Sequence, residues 1–190
     1  MVLGLMAALA APGAQAARSG RKPAAPARAA GSTAEARAIL DDIARGGARR
    51  VLDQLYGSEA RWRAMLDGVA SGQPAWLDVA SRLKPAAART VPVSQDLTVA
   101  VSRALERAPA NVLAILDAAF DTDDVCSLNT LEDSLGPDYH AALGTVERRE
   151  QAVSRVDAPA LAARRDDCLE FLRELKGEVV RNRQVWFPAR

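Results

Sequence analysis

Apolar side chains return every three or four residues along most of this chain, and each such stretch is closed by glycine or proline. That period puts the apolar residues on one stripe of an α-helix, whereas a half-buried strand would alternate at every second residue. Ser32-Thr33-Ala34-Glu35 has the form of a capping box, and the helix it opens carries Ala36, Ile39, Leu40 and Ile43 before Gly46-Gly47 stops it. Val51, Leu52 and Leu55 mark a short second helix ended by Gly57. Ser58 is expected to cap a third, striped by Trp62, Met65, Leu66 and Val69 and stopped at Gly72. Pro74 stands where a first helical residue belongs, with Trp76, Leu77, Ala80 and Leu83 at helical spacing behind it.

The stretch from Lys84 to Val93, with its two prolines, reads as a loop, and Ser94 as the cap of a helix carrying Leu97, Ala100, Val101, Ala104 and Leu105. Pro109 opens the next, with Val112, Ile115, Leu116 and Phe120 inward. Asp121 to Pro137 is polar and broken, apart from a short turn expected around Cys126 to Leu135. Two longer helices follow. The first covers about Asp138 to Val156 and bears Leu143, Val146 and Val153. The second opens at Asp157-Ala158-Pro159 and bears Leu161, Cys168, Leu169, Leu172, Leu175 and Val179. Aromatic residues are only 4% of the chain, so Ala, Leu, Val and Ile must build the core, and the abundance of small and straight-chain residues favours helices. The expected class is all-α, as an irregular bundle or a short stack of helical hairpins.

A shift of 35 residues lays Trp62 on Leu97, Met65 on Ala100, Leu66 on Val101 and Val69 on Ala104, then Pro74 on Pro109, Leu77 on Val112 and Ala80 on Ile115. Each copy reads as helix, short turn, proline-started helix. Such a hairpin cannot bury its stripe alone and must stack on a neighbour.

The N-terminus has a different character. Val2 to Ala11 is an apolar run broken by Pro12-Gly13, and Ala14-Gln15-Ala16 then offers the small residues that a signal peptidase reads. The run is too short to be a permanent membrane span, and no cysteine follows the cut to carry a lipid. Residues 1–16 are therefore expected to be a signal peptide, 17–31 a flexible linker rich in Ala, Pro, Gly and Arg, and 32–190 one helical domain. The competing reading is an Ala-rich N-terminus on a cytosolic protein, since no base precedes the apolar run. Export makes the expected address the periplasm.

Cys126 and Cys168 are the chain's two cysteines. In an oxidising compartment they are expected to form one disulfide. The alternatives are two buried thiols or a redox pair, and the latter lacks the C-x-x-C spacing that depresses a thiol pKa.

Charge argues against nucleic acid as a partner. Four of the 25 bases lie in residues 1–31, which hold no acid, so residues 32–190 carry 21 bases against 24 acids. A slightly acidic domain lacks the clustered basic face that phosphates require. The sequence holds no nucleotide, cofactor or metal motif. His140, the single histidine, has no nucleophile placed beside it by spacing. Asp117, Asp121, Asp123 and Asp124 crowd together but lack the alternating pattern of a calcium loop. Glu132 and Asp133 are adjacent, so on a turn they point apart. Arg148-Arg149, Arg164-Arg165 and Arg181 with Arg183 are interspersed with acids and read as solvated helical faces. Trp186-Phe187 is an apolar pair at the end of the chain, either a partner surface or a tail that folds back on its domain.

The segment from Trp62 to Leu77 (WRAMLDGVASGQPAWL), the step from Ala104 to Leu113 (ALERAPANVL) and the two later cysteines resemble a group of exported proteobacterial helical proteins. The likeness spans roughly residues 45–172. It implies a small periplasmic helical protein and no known activity, so it transfers no functional residue. The resulting expectation is a periplasmic interaction or scaffold protein of adaptor, inhibitor or immunity type, whose partner is another envelope protein. The alternative is a hydrolase of cell-wall or peptide substrates whose residues converge only in the fold.

Overall fold

The computed structural model describes residues 32–127 and 138–187. Within them the chain is helical: α1 (Thr33–Gly46), α2 (Ala48–Tyr56), α3 (Glu59–Ala70), α4 (Pro74–Ala87), α5 (Val91–Ala104), α6 (Pro109–Ile115), α7 (Thr122–Cys126), α8 (Tyr139–Ser154), a 3₁₀ turn (Pro159–Leu161), α9 (Ala162–Arg181) and α10 (Arg183–Trp186). Among the described residues the β-type pairing is one isolated bridge, Leu116 to Phe120. The expected leader and linker, Glu132 and Asp133, and most of the turn expected from Cys126 to Leu135 lie outside the described residues.

The 35-residue shift has a physical counterpart. α3 packs on α5 and α4 on α6, so equivalent helices of two successive hairpins lie against each other, with α4 also against α5. Met65, Val69, Leu77 and Ala80 are buried, and so are their counterparts Ala100, Ala104 and Val112, whereas Ile115 is half-buried. The two hairpin corners meet at Gly72. Its φ is +75°, and a Cβ there would lie 2.4 Å from the Cβ of Ala108. Only glycine permits both that dihedral and that approach without strain. Carbonyls left open at the first corner are taken up by the second: Asn111 Nδ2 donates to Gly72 O (3.0 Å) and an Arg107 guanidinium N–H to Ala70 O (3.1 Å). Trp62 Nε1 adds a donation to Asp96 Oδ2 (2.8 Å) between α3 and α5.

α1 and α2 cover α4, and α2 also touches α3. At the other end α9 lies along α8 and α7, α7 touches α5, and α6 touches α8. One core cluster runs through all these layers. Trp62, Trp76 and Phe120 are its buried aromatic residues, and the rest is aliphatic apart from Met65 and the two cysteines.

Several local expectations need correction. Lys84 to Val93 is mostly helical: α4 runs through Pro85 to Ala87, and α5 begins at Val91. Pro85 stands near the end of its helix, where few later turns suffer its ring, and burial of Leu83 and Ala87 offsets its missing donor. Pro92 falls in the first turn of α5, where an amide has no intrahelical acceptor anyway. Ser94 is therefore not a cap. Its backbone N–H already donates within the helix to Thr90 O (3.0 Å). Ser58 occupies the cap position of α3 but makes no side-chain cap bond. Ser32 does cap α1, accepting from Glu35 N (3.2 Å), and Asp138 caps α8, accepting from Ala141 N (2.9 Å). The polar stretch after Phe120 holds a five-residue helix, α7, whose Val125 and Cys126 are buried.

Candidate functional site

Cys126 and Cys168 are joined, with an S–S distance of 2.03 Å and Cα atoms 5.5 Å apart. The bond ties α7 to α9, and both residues are buried. It is structural in position: neither sulfur faces solvent.

His140 is exposed near the start of α8, its ring edge-on to Tyr139 at 5.2 Å. Among the described residues no group of three or more His, Cys, Asp or Glu is arranged to hold a metal ion. Among the clustered aspartates, Asp117 is engaged by the fold. Asp117 accepts from Thr122 Oγ1 (2.9 Å) and Arg164 Nε (3.0 Å) while its own backbone takes φ +63°. Arg164 also donates to Leu113 O (3.3 Å) and Ala114 O (3.4 Å), closing the end of α6.

The apolar pair at the end of the chain is divided by its surroundings. Phe187 is half-buried, 6.2 Å from the Tyr139 ring, and the Arg183 guanidinium covers that ring at 4.5 Å. Trp186 is 37% exposed, and Val185 and Val180 are 76% and 51% exposed. Folding back thus claims Phe187 and leaves Trp186 at the surface.

Two sites escaped the sequence. Arg149, expected on a solvated face, is 1% exposed inside α8 and donates to Ser102 Oγ of α5 (2.9 Å). Its Nε has no hydrogen-bond partner among the described residues. Burial pushes the guanidinium down to about 10; Glu106 resists the shift, and Arg103 and Arg148 add to it.

The second is a cleft of about 210 Å³ between the end of α4, the first turns of α5 and α7, lined by Lys84, Ala88, Val91, Ser94, Gln95, Thr98 and Asp124. Lys84 Nζ lies 3.2 Å from Ser94 O, 2.9 Å from Ser94 Oγ and 2.6 Å from Thr98 Oγ1. It also stands 5.1 Å from the centre of the Phe120 ring. Burial lowers the Lys84 pKa below the usual lysine value, and the carboxylates of Asp124 and Asp121 oppose that shift without cancelling it. Ser94 and Thr98 are four residues apart on one face of α5, and that spacing was the available signal. It was hidden because Lys84 was assigned to a loop.

Comparison with family models, with curated proteins and with solved structures returned no match. No helix among the described residues is long and apolar enough to cross a membrane.

Proposed function

We propose that the chain is an exported, periplasmic helical interaction protein whose C-terminal edge docks another envelope protein. The observation that carries this reading is the exposure of Val180, Val185 and Trp186 together at the end of α9 and on α10. Large apolar side chains gathered in one exposed stretch mark contact surfaces more often than isolated ones do. Arg181 and Arg183 lie between them in sequence, so the complementary partner offers an apolar pocket rimmed by carboxylates. Support for the compartment comes from the signal-peptide pattern of residues 1–16, from a disulfide of the kind that persists in oxidising compartments, and from the likeness to exported proteobacterial helical proteins.

The test is capture from periplasm by the chain beginning at Ala17, run beside Trp186→Ala and Val185→Ser. One stoichiometric protein held by the unaltered chain and released by either change supports the reading. Capture that ignores both substitutions, or no capture at all, overturns it.

A further inference from the structure

We propose that the cleft between α4, α5 and α7 binds a small apolar α-amino acid as its zwitterion. This goes beyond the docking reading and rests on a different part of the molecule.

Three elements build the cleft. Val91, Ser94, Gln95 and Thr98 recur at the i, i+3, i+4 and i+7 positions of α5 and so share one face. Lys84 and Ala88, four residues apart at the end of α4, form a second wall. Asp124 supplies the third from α7, close in sequence to Cys126, whose bond to Cys168 fixes that short helix on α9. The volume of about 210 Å³ is below the roughly 300–1,000 Å³ of sites for drug-sized ligands, so the occupant is small.

Hydrogen-bond directions set what the cleft offers. Lys84 Nζ donates to Ser94 O, Ser94 Oγ and Thr98 Oγ1, so all three N–H groups of an ammonium are in use. Ser94 Oγ accepts from that ammonium and keeps its own proton to give, and contact with a cation makes the hydroxyl a stronger donor. No acceptor for this proton lies among the described residues. The Gln95 amide, lining the same cleft, adds two N–H donors. Donors of this kind beside a fixed positive charge suit a carboxylate. Asp124 offers the converse. Its carboxylate has about four acceptor positions, enough to take an ammonium beside the contacts it already makes.

The balance of charge selects a zwitterion. Asp124 and Asp121 both act on Lys84, so one cation faces two carboxylates. A ligand that is only an anion would meet an excess of negative charge. A simple amine would leave the Ser94 and Gln95 donors unmatched. An α-amino acid answers both ends at once. Its side chain meets Ala88 and Val91, and Val91 is a large apolar residue left 73% exposed, whose covering favours binding.

The experiment titrates the full chain with L-valine, beside isovalerate, which lacks the ammonium, and isobutylamine, which lacks the carboxylate. Calorimetry reads the tighter binding and ligand-detected NMR the weaker. Saturable binding of valine below about 1 mM is expected, with each analogue weaker by about tenfold or more. Ser94→Ala and Gln95→Ala should weaken valine and isovalerate by about tenfold and leave isobutylamine unchanged. Asp124→Asn should weaken valine and isobutylamine and leave isovalerate unchanged. Because Ser94→Ala also removes a contact between α4 and α5, Gln95→Ala, at an exposed residue, carries the test if that variant is less stable. No saturation by valine up to about 10 mM overturns the proposal. So does equal binding of the three compounds, indifference to the substitutions, or substitutions that affect all three compounds alike. None of these results depends on Trp186, so this proposal and the docking reading fail separately.

Discussion

The hairpin stack of α3 to α6 and the C-terminal layer of α7 to α9 are held by different means. In the stack, equivalent helices lie on one another, corner carbonyls are taken by the neighbouring corner, and a glycine permits the close approach. In the C-terminal layer a five-residue helix must be kept against a helix of 20 residues. A helix that short is not stable by its own hydrogen bonds. A covalent bond from α7 to α9 meets that need, and the buried Arg149 joins α8 to α5. Local repetition makes packing nearly sufficient by itself, and its absence calls for crosslinks and buried polar contacts.

That contrast can be broken experimentally. The largest effect belongs to the disulfide. Replacing both Cys126 and Cys168 by Ser should cost about 3–4 kcal/mol, since the bond closes a loop of 42 residues. Amide hydrogen exchange should quicken in α7 and α9 while α3 and α5 stay protected. Equal quickening in all four would show one cooperative unit and erase the distinction. Next comes Gly72→Ala, which forces a Cβ into Ala108 at a positive φ and should cost about 1–3 kcal/mol in denaturant unfolding. A cost near zero would mean the two corners are not in firm contact.

The smallest effect is expected at Arg149. Changing it to Met should alter stability at neutral pH by no more than about 1 kcal/mol, because a desolvated cation gives back much of what its hydrogen bond contributes. The pH dependence sharpens this. Burial holds the folded pKa at about 10, below the ordinary arginine value. Between those values the unfolded chain holds more protons, so stability rises with pH through that window. The unaltered chain should therefore gain on Arg149→Met as pH is raised from 9 toward 11. A constant difference would place the guanidinium in water.

The all-helical class was legible because apolar spacing is a local property, and so was the disulfide, because two cysteines allow one intramolecular pairing. The proline-bearing stretch after Leu83 was misread since prolines were taken as breaks, whereas one sits near a helix end and the other at a helix start, where each is tolerated. That error concealed the Lys84 cleft. Arg149 was missed for another reason: its neighbour Arg148 is exposed, and nothing in a run of alternating charge says which arginine turns inward. Asp117 shows the same limit, since its left-handed backbone is stabilised by Arg164, which is distant in sequence. Contacts between remote segments decide such positions, and no local pattern encodes them.

The link from Cys126 to Cys168 makes a closed covalent ring that contains all of α8. A protease that nicks the backbone once anywhere inside that ring cannot separate the molecule. The two pieces stay fastened through sulfur. Parting the pieces requires reduction of the disulfide as well as the cut.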